Sequence, residues 1–204
     1  MSDPVPSNST PPAGSAATET PDQILEATAA VIVREGMAGA SLRSVAEEAD
    51  VSLGLLSYHF DDKQTLIREA FKRATDILLE RSLSAMEDPA VAGQPDRQVE
   101  AYIRGAFDDD FLDPEYLNLR ISLWSTARTN AEIADVEFHL YQRYADTLSS
   151  VIALARPELA PEEIRQRATD VIVVQNGLWL NWARYRRRED VERGLRLCVS
   201  IALS

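Results

Sequence analysis

From about residue 20 onward, apolar residues recur at three- and four-residue spacing along almost the whole chain, and no segment alternates with a two-residue period over a useful length. The pattern predicts an all-α protein of about nine helices without internal repeats. Ile24, Ala27, Thr28 and Val31 mark a first helix. It is predicted to start at Thr20, with Pro21 in the first helical position and Gln23 completing a capping box, and to end at Arg34–Gly36. Ser41 then caps a short helix whose stripe is Leu42, Val45, Ala46 and Ala49, and Ser52 caps another built on Val51, Leu55, Leu56 and Phe60. Asp61, with Gln64 three positions on, is predicted to cap a long fourth helix ending near Met86. After a break between Asp88-Pro89 and Gln94-Pro95, five more helices follow. They are expected from about Asp96 to Phe111, Asp113-Pro114 to Arg128, Ala131 to Ala155, Pro161 to Tyr185, and Glu189 to Ala202.

Two short helices joined at a sharp corner, with a third leading in, form the pattern of a helix-turn-helix. A second helix of about two turns is the right size to enter a DNA major groove. The expected organisation is a tail over residues 1–19, composed of Pro, Ser, Thr, Ala and Gly and too poor in apolar residues to fold; a DNA-binding head over 20–66; and a ligand-binding and dimerisation domain over 67–204. Eleven of the fourteen aromatic residues lie after residue 100. That imbalance points either to a binding cavity in the second part or simply to the large core residues a bundle needs.

Charge complicates the picture. The formal net charge is −12, and between Thr20 and Leu66 there are three basic residues against eight acidic ones. Basic patches normally supply most non-specific DNA affinity, so affinity here must rest on a few placed contacts, backbone N–H groups and pairing of two copies. The lone cysteine, Cys198, lies in an apolar run and excludes an internal disulfide. No apolar stretch reaches membrane-span length and the N-terminus lacks a secretory pattern, so a soluble, cytoplasmic protein is expected.

The segment Val51-Ser52-Leu53-Gly54-Leu55-Leu56-Ser57-Tyr58-His59-Phe60-Asp61-Asp62-Lys63 resembles the recognition segment of TetR-family regulators, and Gly36, Ser41, Val45, Ala46 and Ala49 sit where that family places them. The resemblance implies DNA contacts from Ser41, Arg43, Ser52, Leu53, Gly54, Leu55, Ser57, Tyr58, His59 and Lys63. The residue types suit the role. Gly54 lets backbone approach phosphates closely, Ser57, Tyr58 and His59 put polar groups on an exposed face, and Lys63 joins the N–H groups at the start of the fourth helix. Leu53 departs from the Lys or small polar residue common in relatives and trades a phosphate contact for an apolar one. His59 is read either as a DNA contact or as a ring packed beside Phe60.

In the second part, Val99, Tyr102, Ile103, Ala106 and Phe107 share one face of the fifth helix, and extending that face lands on Asp110. Asp110 is either solvated beyond the helix end or a counter-charge for a cationic ligand. With Trp124, Tyr141, Tyr144, Trp179 and Trp182, the rings Tyr102 and Phe107 would suit a quaternary ammonium or polyamine by cation–π attraction, or would form an ordinary core. The segments Gly105-Ala106-Phe107-Asp108, Leu123-Trp124 and Gly177-Leu178-Trp179-Leu180 resemble the choline-responsive, BetI-like branch of the TetR family. That resemblance implies a repressor released from its operator by a small molecule such as choline or another amine. It also implies a homodimer through the last two helices. The eighth helix supports such pairing with apolar residues on two faces, Val171, Val174 and Leu178 against Ile172, Trp179 and Trp182; Gly177 within it suggests a close helix crossing.

An enzyme is not expected. His59 and His139 are the only histidines, neither has a nucleophile or ligand set at useful spacing, and nothing calls for a metal or cofactor. The competing reading is a helical small-molecule carrier without DNA function.

Overall fold

The computed structural model describes residues 16–204. Among them there are nine helices and no strand: α1 (Ala16–Gly39), α2 (Leu42–Glu48), α3 (Leu53–His59), α4 (Lys63–Met86), α5 (Pro95–Gly105), α6 (Pro114–Ala127), α7 (Ala131–Ala155), α8 (Pro161–Tyr185) and α9 (Arg188–Leu203). The tail expected over 1–19 lies outside the described residues as far as residue 15, and from Ala16 the backbone is already helical. Pro21 therefore stands inside α1 rather than at its first position. Gln23 does not complete a capping box; its amide donates to the Ala49 carbonyl at 2.8 Å and so satisfies the C-terminal end of α2 from across the head.

The helix of α1 breaks at Gly36, whose backbone sits at φ 74°, ψ 169°, in the region that favours glycine. Ser41 caps α2 in a box closed by the Ser44 hydroxyl, and Ser52 accepts from the Leu55 N–H at 3.1 Å. The corner between α2 and α3 turns on Asp50 at φ 53°, a residue type that tolerates the left-handed region. The cap of α4 is Asp62, not Asp61: it accepts from Thr65 N–H at 2.7 Å. Hydrogen bonds from Thr65 hold its carboxyl below the usual carboxylate range, so the cap stays ionised at neutral pH.

Two buried clusters fill the molecule. One packs α1–α3 and the start of α4 around Ile24, Val31, Ile32, Val45, Leu56, Phe60 and Leu66, and takes in Leu119 and Leu123 of α6 and Ile133 of α7. The other joins α4, α5, α7, α8 and α9 around Leu78, Tyr102, Ile103, Leu148, Ile152, Val171 and Leu195. Arg156 ties the second cluster's ends together, donating to the Leu203 carbonyl at 3.0 and 2.7 Å and to Asp96 at 2.8 Å. Cys198 is fully buried, and desolvation pushes its thiol up to about 12. The helix after the 88–95 break is shorter than expected: α5 stops at Gly105, and residues 106–113 form turns. No described helix is long and apolar enough to cross a membrane.

Gly105 marks where α5 crosses α4. A Cβ built there would lie 2.9 Å from the Ser82 Cα, which is backbone and cannot swing away. Gly105→Ala should therefore destabilise the fold by about 1–3 kcal/mol, the usual range for overpacking, measurable by urea denaturation.

Candidate nucleic-acid interface and ligand cavity

The outer face of α3 is built by exclusion. Leu56 and Phe60 anchor the helix in the head's core, which turns Leu53, Gly54, Ser57 and Tyr58 outward. Tyr58 is 82% exposed, and Leu53, at 50%, is an apolar residue left in water. His59 is half-buried, edge-on to Tyr58 at 5.1 Å and 6.4 Å from the Phe60 ring, so it bridges the exposed and buried faces. Ser41, Arg43, Ser52 and Leu55 are exposed around it. Arg43 pairs with Glu47 at 3.0 Å, and Lys63, half-buried at the first turn of α4, reaches the Ala38 carbonyl at 3.4 Å. All ten residues expected on the interface thus lie on α2, α3, their caps or the first turn of α4, and both cations are held only by weak, exposed partners.

The second part holds a cavity of about 40 Å³ between α4, α6, α7 and α8. Trp124, Tyr141, Tyr144 and Trp179, four of the rings singled out in the sequence, line it. Phe107 and Tyr102 stand one layer back: Phe107 stacks on Trp179 at 4.9 Å, and Tyr102 lies 6.0 Å from the Tyr144 ring. Burial raises the pKa of both Tyr102 and Tyr144, so both remain phenols. Tyr144 donates to Gln175 Oε1 at 3.0 Å, and both residues are buried.

Two expected ligand residues stand elsewhere. Asp110 is exposed and pairs with Arg81 at 3.0 Å, because α5 ends at Gly105 and the stripe that would have carried Asp110 inward does not extend that far. Trp182 is turned to the 106–113 turns, where its indole N–H donates to the Leu112 carbonyl at 2.7 Å. The cavity's charged and amide side chains are instead Arg120, Glu137 and Asn176. Each was recoverable from helical spacing: Arg120 is four residues before Trp124, Glu137 four before Tyr141, and Asn176 three before Trp179. The Arg120 guanidinium lies 4.2 Å from the Trp179 ring centroid and 5.1 Å from that of Trp124. Among the described residues no group of His, Cys, Asp or Glu is arranged to hold a metal ion. His139 is exposed, its ring nitrogen 2.7 Å from the Asp135 carbonyl.

A profile described as the BetI-type transcriptional repressor C-terminal region matches residues 95–202, and one for bacterial regulatory proteins of the tetR family matches residues 24–70. The chain is 25% identical over 175 residues to the HTH-type transcriptional regulator BetI of Burkholderia thailandensis, covering 86% of this chain and 87% of that one. Its fold is similar to that of a candidate transcriptional regulator from Pseudomonas aeruginosa PAO1, with a TM-score of 0.78, 26% identity, and coverage of 91% and 89%. A candidate regulator from Saccharomonospora viridis, solved in complex with choline, shares the fold at a TM-score of 0.68 and 17% identity over 90% and 95% of the two chains.

Tyr144→Phe leaves the buried Gln175 oxygen without its donor and should cost about 1–2 kcal/mol of stability. Adding Gln175→Leu should recover part of that loss, and denaturant melts of both single variants and the double variant measure the coupling.

Proposed function

The chain belongs to the TetR family of bacterial regulatory proteins, with a C-terminal region of BetI type, and from this premise we propose a homodimeric repressor that leaves its operator when an organic cation enters the cavity. It is a DNA-binding transcriptional regulator and not an enzyme; the tetR-type match over residues 24–70 removes the carrier alternative. One observation carries the DNA-reading assignment: the outer face of α3 presents Ser57 and an almost fully exposed Tyr58 on a helix whose other side is locked into the head. Ser57, Tyr58 and His59 read base edges or phosphates, Leu53 and Leu55 meet apolar edges such as a thymine methyl, and Arg43, Lys63 and the cap N–H groups hold the backbone.

Two copies pair through α8 and α9. Support comes from an apolar surface that the single chain leaves uncovered: Val173 and Leu180 on α8 and Leu197 on α9 are exposed. Between the helices runs a groove with Gly177 and Gly194 on its walls. Gly177 has no close neighbour within its own chain, so the crossing that would account for it is with the second copy. The pairing sets two recognition helices about one DNA turn, ~34 Å, apart.

The aromatic lining of the cavity and Glu137 have the chemistry to attract an organic cation such as choline or a polyamine. The choline complex of a protein sharing this fold is in keeping with that class.

The double variant Tyr58→Ala with Lys63→Ala should abolish binding to palindromic DNA upstream of the protein's own gene while the dimer persists; unchanged binding in fluorescence anisotropy would refute the head assignment. Lys63→Ala alone should weaken binding evenly across sequences and flatten the salt dependence by about one ion per protomer. Leu180→Arg with Leu197→Arg should give a folded monomer in sedimentation velocity that no longer binds the operator.

A further inference from the structure

The site that a cationic effector would use already contains a cation. Arg120 lies with its guanidinium 4.2 Å from the Trp179 ring centroid and 5.1 Å from that of Trp124, and Phe107 stacks on Trp179. Its polar contacts are sparse. A guanidinium has five N–H donors; here one end nitrogen donates to the Tyr116 hydroxyl at 3.3 Å, and the buried Nε has no partner. Among the described residues no carboxylate lies within ion-pairing distance of it, although Glu137 lines the same cavity and is itself unpaired. A half-buried charge without a counter-charge is costly, and ring faces are what compensate it. The space left over, about 40 Å³, holds a water or two and not a trimethylammonium group.

We propose that Arg120 is a tethered internal cation that occupies the effector site in the unliganded protein, and that an organic cation binds by displacing it from the tryptophan faces. This inference rests on the cationic-effector reading above. Because Arg120 competes from within the chain, it sets the concentration at which the protein responds: ligand affinity is lowered by the fraction of molecules in which the rings are covered.

The same residue connects the cavity to the DNA-binding head. Arg120 and Trp124 look into the cavity from α6, while Leu119 and Leu123, each one position earlier, lie in the head's buried cluster with residues of α1. Moving the Arg120 side chain off the rings changes what holds α6 on its cavity side. The head feels that change one residue away.

The test is calorimetric titration of the full-length dimer with choline chloride, and separately with sodium propionate, for the native chain, Arg120→Gln and Arg120→Met, with circular dichroism to verify folding. The expected result is choline binding about tenfold or more tighter in both variants than in the native chain, with operator release at correspondingly lower choline. Choline binding that is equal or weaker in the variants overturns the displacement proposal and leaves the cationic reading standing. If no folded form, native or variant, binds choline, both fall. Propionate binding by the native chain that is lost in both variants would make Arg120 an anion receptor, which also overturns the proposal. Arg120→Lys, which keeps a charge but not the planar group, is expected to fall between native and Gln.

Discussion

The head cannot close its own core. Leu119 and Leu123 of α6 are almost fully buried among the side chains of α1 and the start of α4, and Ile133 of α7 joins them. Each buried leucine contributes roughly 1.5–3 kcal/mol relative to exposure, so separating the head from α6 would cost a sizeable fraction of a domain's net stability. The head is therefore oriented by the bundle, and a small displacement of α6 moves a rigid object. Packed interiors respond by switching between discrete arrangements rather than by deforming smoothly. The cavity lies against α6, where Leu123 belongs both to its lining and to the head's buried cluster, and so a binding event sits next to the element that aims the recognition helix. The long α4, which enters both clusters, provides a parallel route through Leu66 and Phe71 at one end and Leu78 and Leu79 at the other.

The acidity of the head is less severe than its formal charge suggests. Glu35 and Glu48 are both held by Arg34, Asp22 lies near Arg73, Glu47 pairs with Arg43, and Asp62 is occupied as a helix cap. The pairs are exposed and individually weak. Their effect is on the local field: they place a compensating charge beside half of the head's carboxylates, whereas the outward surface of α3 carries no acidic residue at all between Leu53 and His59. The potential a phosphate would meet at that surface is governed by the nearest charges and not by the sum over the chain.

Much of this was legible in the chain. The bounds of α7 and α8 follow from unbroken three-and-four spacing between strong punctuation, Asn130 on one side and Pro161 on the other. Ser41 and Ser52 announced their caps. What the sequence obscured has physical causes. The apolar face through Phe107 continues beyond Gly105, but the helix does not, because residues after Gly105 take turn geometry and Asp110 swings to Arg81. Asp61 and Asp62 are equal candidates by type, and only backbone geometry selects Asp62. The glycines were harder still: Gly177 suggested a close helix crossing, whereas within the chain the close approaches are at Gly105 and Gly194, and a lone glycine does not reveal which helix it faces. The spacing to Trp124 puts Arg120 on the cavity side of α6, but its second ring partner, Trp179, stands on α8 and only the folded structure brings the two together.

One buried atom has a practical use. The Cys198 sulfur is walled off between α8 and α9 and holds its proton far above neutral pH, so thiol-directed reagents have no purchase on it. A cysteine introduced on the outer side of a recognition helix would then be the sole reactive thiol of each subunit. Paramagnetic or fluorescent labels could be attached there without first removing the native residue, and in the proposed dimer they would give a direct ruler for the distance between the reading heads.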